Sequence, residues 1–253
     1  ALTLDMSEAG AATFNVGGVF NESGADSDFR VESNSNANML FVDAGNNCVN
    51  IGTTTNHGGE VNIETTGNDT NLALVCTDTD GNAGPFLVLR RDAGNVPSDN
   101  DAMGAIIFEN DDTDLNMTTY AMIDTTVRDV SNGSEAGRLN FHVASSGSTT
   151  KFLGLVGASA SAYAEVTFNE DSNDVDFRVE SNNNANMLRV DAGNDILGVG
   201  MAPDTDVTLS VNGAVGTTNG SASSPTHTFY SDPNTGMFRR GSDQLGFSAG
   251  GTE

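Results

Sequence analysis

One internal duplication constrains this chain more than any other feature. Residues 19–53 read VFNESGADSDFRVESNSNANMLFVDAGNNCVNIGT, and residues 167–201 read TFNEDSNDVDFRVESNNNANMLRVDAGNDILGVGM. The two align without a gap at an offset of 148, with 22 identities in 35 positions. Beyond that block the residue types stay in register, Val61 and Ile63 falling opposite Leu209 and Val211. A chain that repeats a unit of this size is built from serial modules rather than one large core.

Comparison of the copies predicts which side chains face inward. Phe29 and Val31 match Phe177 and Val179, with a charged residue on either side of each valine. That is the period of two of a half-buried strand. Leu40 and Val42 match Leu188 and Val190, and Val49 and Ile51 match Leu197 and Val199. These twelve positions are the expected inward set. Phe41 becomes Arg189, which puts that position on the outer face. Cys48 becomes Ile196, so this cysteine reads as a small apolar side chain and not as a redox centre or metal ligand. With only Cys48 and Cys76 in the chain, no disulfide framework is expected.

Turn-forming text (ESNSNAN, DAGNN, GTTTNHGG) separates these segments, because Asn and Gly tolerate positive φ and Asp and Asn side chains bond nearby backbone amides. From Phe29 to Leu40 to Val49 to Val61 the spacings are 11, 9 and 12 residues. Short strands at that interval predict an all-β solenoid, prism or barrel, and no helical periodicity competes with them.

Each strand offers about two inward residues. Burying one Val or Leu contributes roughly 1.5–3 kcal/mol, whereas ordering one backbone residue costs roughly 1–2 kcal/mol. A cycle of about ten residues with two buried side chains does not close on itself. Apolar residues make up only 37% of the 253, and Trp is absent. Part of the core is therefore expected from other copies of the chain, which argues for an obligate oligomer without fixing the number of copies. The net charge of −25 argues against nucleic acid or an anionic membrane surface as partner. No apolar run reaches the length of a membrane-spanning helix.

Four modules follow: a first β-repeat shaft module over 1–57, an antiparallel sandwich-like module over 58–157, a second shaft module over 158–216, and a Gly- and Ser-rich module over 217–253. In the insert, EVNIET, NLALVCT, PFLVLRR, AIIFEN, TTYAMIDTTVRDV, GRLNFHV and TKFLGLV are expected strands. Leu87, Leu89, Leu139, Phe141 and Val143 are its expected core. The last module is too small to stand alone.

Sites of chemistry are sparse. His57, His142 and His227 fall in three modules without a nucleophile motif and read as solvated loop residues. Asp78 with Asp80 and Asn82, and Asp112 with Asp114 and Asn116, alternate oxygen ligands in a way that suits calcium, although neither run has the glycine and glutamate of an EF-hand. Asp26 with Asp28 and Asp174 with Asp176 recur in the repeat, and turn chemistry accounts for all of these runs equally well. No pair among the 35 acidic residues stands out as a glycosidase pair. No cofactor is expected, and the chain reads as non-enzymatic.

The segments DFRVES, NMLFVDAGNNCVNIGT and NMLRVDAGNDILGVG resemble the repetitive shaft modules of tailed-phage tail-fibre proteins. NLALVCTDTDGNAGPFLVLRRD, DNDAMGAIIFEN and GRLNFHV are similar to a module often found in the same proteins. FYSDPNTGMFRRGSDQLGFSAGGTE resembles the segment that commonly precedes their intramolecular chaperone domain. The resemblance implies an intertwined homotrimer, β-prism or triple-β-helix-like, exposed extracellularly on a virion tail fibre. Its implied partners are itself, other virion tail proteins and a host surface glycan or protein. The chain is expected to be a piece of a longer fibre. A cell-surface adhesin or filament subunit, and a segment of a polysaccharide-degrading tailspike, are the competing readings.

Overall fold

The computed structural model describes residues 20–253 except 22, 82, 83, 93, 95, 96 and 160–162. The chain divides into two units, Ala1–Val88 and Leu89–Glu253. Every regular element among the described residues is a β-strand, so the all-β expectation is met.

In the first unit, β1 (Phe29–Val31), β2 (Leu40–Asp43), β3 (Cys48–Ile51) and β4 (Val61–Ile63) form one sheet in that order. The first two pairings are antiparallel and the third is parallel. The β2–β3 turn closes because Asn47 takes a φ of 54°. Its backbone is tied by two carboxylates: Asp43 Oδ1 accepts from Asn46 N at 2.8 Å, and Asp28 Oδ1 accepts from Ala44 N at 3.0 Å. A parallel pair commonly needs a helical crossover of a dozen or more residues. Here residues 52–60 make the return, and side chains rather than a helix hold their backbone. Asn62 Oδ1 accepts from His57 N at 3.3 Å and Gly59 N at 3.2 Å, while its Nδ2 donates to Gly59 O.

The second unit contains three sheets. β5 (Ala102–Asp111), β6 (Met117–Asp129), β7 (Ala136–Ser145), β8 (Ser148–Val156) and β9 (Glu165–Phe168) form a five-stranded antiparallel meander. β10 (Phe177–Val179), β11 (Leu188–Asp191), β12 (Ile196–Val199) and β13 (Leu209–Val211) repeat the first sheet. β14 (His227–Phe229), β15 (Asp232–Gly241) and β16 (Gln244–Ser248) form the last.

The two repeat sheets agree residue by residue at the offset of 148. Phe29 opposes Val42 as Phe177 opposes Val190, and Val49 opposes Val61 in parallel as Leu197 opposes Leu209. Asn47 and Asp195 share a positive φ, as do Gly52 and Gly200. Phe20 stacks on Phe29 at 4.9 Å between ring centroids, and Phe168 on Phe177 at 4.7 Å.

The insert departs from its expected form. Residues 71–77 and 85–91, expected as strands, belong to no strand. Leu87 and Leu89 are exposed, as is Val143 on β7; Leu139 and Phe141 are half-buried. EVNIET supplies β4 of the first repeat sheet, the other four expected strands make one sheet and not two packed layers, and β9, beyond residue 157, completes it. Apart from glycine and proline, the only buried apolar residues among the described ones are Cys48, Ile196 and Phe238.

Candidate assembly interface

Alternation fixes which side chains share a sheet face, since cross-strand partners point the same way. Phe29, Val31, Leu40, Val42, Val49, Ile51, Val61 and Ile63 therefore line one face of the first repeat sheet. Phe177, Val179, Leu188, Val190, Leu197, Val199, Leu209 and Val211 line the matching face of the second. The sequence reading placed its twelve inward positions on one face of each sheet, and they share it.

Within a single chain, however, that face is not the covered one. Val31, Ile51, Val61, Val179, Val190, Val199 and Leu209 are all exposed, Val61 by 60%. The buried positions lie on the opposite face: Asp43, Cys48, Asn50 and Asn62 in the first copy, Ile196, Gly198 and Ser210 in the second. The cause is the return loop, which crosses that opposite face between the parallel strands. Asn50, with no exposed surface, accepts at Oδ1 from Asn62 Nδ2 at 2.7 Å. In the second copy Gly198 leaves room for the loop itself, because a Cβ there would come within 2.9 Å of Pro203 N. Ser210 Oγ replaces the asparagine by accepting from Asp204 N at 2.8 Å. Arg189, opposite the apolar face, is held by Asp176 at 2.7 Å.

The five-stranded sheet has the same two-sidedness. Ile106, Ile123, Phe141, Leu153 and Phe168 form one cross-strand row, flanked by Leu139, Leu155 and Val166. No strand layer covers this side among the described residues, and Ile106, Val166 and Phe168 are exposed. The other side is polar. Asp124 accepts from Asn140 Nδ2 at 2.8 Å and lies 2.7 Å from His142 Nε2, a close contact without hydrogen-bond geometry. In the last sheet Phe229, Leu245 and Phe247 are exposed.

The other candidate residues behave as structural groups. Asp112 Oδ1 accepts from Asp114 N at 2.8 Å and Asn116 N at 2.9 Å, closing the β5–β6 turn. The Asn116 backbone N–H, then its side-chain amide and the Asp114 N–H, hold this carboxyl below its ordinary value. Asp78 Oδ1 accepts from Asp80 N at 3.2 Å, and Asn82 lies outside the described residues. Asp28 and Asp176 cap the β2–β3 and β11–β12 turns through Ala44 N and Ala192 N. Asp26 and Asp174 pack their carboxylates against Gly45 and Gly193, where a Cβ would approach to 2.8 Å. Among the described residues no three His, Cys, Asp or Glu side chains converge to hold a metal ion.

Of the histidines, only His57 is in a loop, where it meets Glu64 at 3.0 Å. His142 and His227 are on β7 and β14, which corrects the expectation of loop positions. The Asn50–Asn62 pair escaped the sequence reading, although the copies carry its signal: both positions change together, to Gly198 and Ser210. No protein-family model matches the chain, and no curated protein sequence matches it.

Proposed function

We propose that this chain is a structural segment of a tailed-phage tail fibre, a shaft or spacer that assembles as a homotrimer and serves host attachment. The observation that carries the reading is the twice-repeated apolar sheet face, identical in register and open in a single chain. Contiguous apolar faces of this kind are rare on soluble monomers and mark association surfaces. Cyclic symmetry suits them, because each copy meets the same residues of its neighbours. A net charge of −25 keeps the outside of the chain solvated. The resemblance of the repeat text to fibre shaft modules supplies the virion context. Its partners there are other tail proteins and a host surface glycan or protein.

Gold-labelled antibodies against the chain, applied to purified virions, test the assignment. Label along the tail appendages supports it. Label confined to a cell surface contradicts it and favours an adhesin, and release of reducing ends from host glycan by the purified chain contradicts it in favour of a tailspike.

A further inference from the structure

The stretches 71–77 and 85–91 are written like strands and are unpaired. NLALVCT and PFLVLRR concentrate β-branched, leucine and phenylalanine residues. Leu72, Leu74, Val75, Phe86, Leu87, Val88 and Leu89 are nonetheless exposed, Val75 by 76%. Among the described residues, no backbone amide from 71 to 92 donates to a backbone carbonyl. Side chains anchor the stretches: Asn71 Nδ2 donates to Ile63 O, and Arg91 donates to Ala102 O and pairs with Asp101. Cys76 lies against Gly84, so the two stretches approach each other as the arms of an unformed hairpin.

The chain also carries a vacant place for a strand. Among the described residues β5 is the outermost strand of the five-stranded sheet and pairs only with β6, which leaves the other edge of this ten-residue strand unpaired there. Ile106, Ile107 and Phe108 on it are exposed. Long, apolar, open edges are what native proteins cover by pairing. Leu89 packs its Cβ over Gly104, where an added Cβ would lie 3.4 Å away.

We infer that residues 85–91 pair as a β-strand along β5 of a second copy of this chain, with residues 71–77 ordered beside them. Charge favours this occupant. The stretch ends in Arg90 and Arg91, while β5 ends in Glu109, Asn110 and Asp111, so a parallel register joins apolar to apolar and guanidinium to carboxylate. The inference rests on the assembly proposed above and goes further, because it names the segments that form only between copies.

Amide hydrogen exchange on the full chain, with the native mass measured on the same sample, separates the two ideas. The expected result is an oligomer in which the amides of 86–90 exchange slower than an unstructured chain by on the order of a hundredfold or more. An oligomer with unprotected amides there overturns the strand inference and leaves the assembly standing. A single-chain mass overturns both, whether or not those amides are protected. Leu87→Pro and Val88→Pro provide the control. Consecutive amides point to opposite edges, so at least one proline removes a ladder bond and is expected to weaken association tenfold or more. In a stretch that stays unpaired both prolines are silent, and silence in both overturns the inference.

Discussion

Asn62 Nδ2 donates to Asn50 Oδ1 at 2.7 Å across the parallel β3–β4 pair, and the two side chains are buried together under the return loop. This contact explains how nine residues perform a crossover that usually takes a helix. Asn62 supplies the acceptors that the loop amides need, and Asn50 fixes Asn62.

Replacing Asn62 by alanine leaves the His57 and Gly59 amides without their acceptor and leaves Asn50 Oδ1 with only the weak Cys48 thiol donor at 3.7 Å among the described residues. Each buried group left unsatisfied costs about 1–3 kcal/mol. Asn62→Ala is expected to lower the unfolding free energy of the first repeat by that order, read by urea titration, without changing the second.

The second copy makes the converse prediction. Gly198→Ala drives a methyl into the backbone of Met201 and Pro203, and overpacking of this kind costs about 1–3 kcal/mol. Gly154→Ala is its control, since the nearest atoms to a Cβ there lie at 3.7 Å or beyond. Thermal denaturation should separate the pair, with the second variant at or above the parent.

Asp112 gives a pH signature. Its carboxyl is held below the ordinary 3.8 by the Asn116 and Asp114 amides, so its contribution is complete above that pH and is lost as the pH falls through the lower folded value. The stability gap between the parent and Asp112→Ala is therefore widest at neutral pH and closes as the solution is taken below 3.8. A gap that is constant with pH contradicts the turn role.

Strand positions were legible in the sequence wherever the copies could be compared. Alternation at Phe29, Val31, Leu40 and Val42 locates the first two strands, and the Asp-Ala-Gly-Asn turn locates the third. What alternation does not reveal is which face the chain covers by itself. That depends on the path of residues 52–60 over Asn50, a tertiary choice with no period in the sequence. The strand propensity of 71–77 and 85–91 was equally plain, but propensity without a partner edge does not make a strand.

The open apolar face offers a direct charge test. Val61 is 60% exposed and Leu209, its counterpart, 55%. On a free surface, Val61→Asp and Leu209→Asp should each fall within about 0.5 kcal/mol of the parent. On an association surface each is expected to weaken assembly tenfold or more, read by sedimentation across a dilution series.

The claim beneath all of these is that one chain cannot seal its own apolar faces. Native mass spectrometry of the purified protein tests it in one step. The account predicts three times 26.2 kDa, or a higher multiple, with no folded species at 26.2 kDa. A well-folded, cooperatively melting species at 26.2 kDa contradicts it.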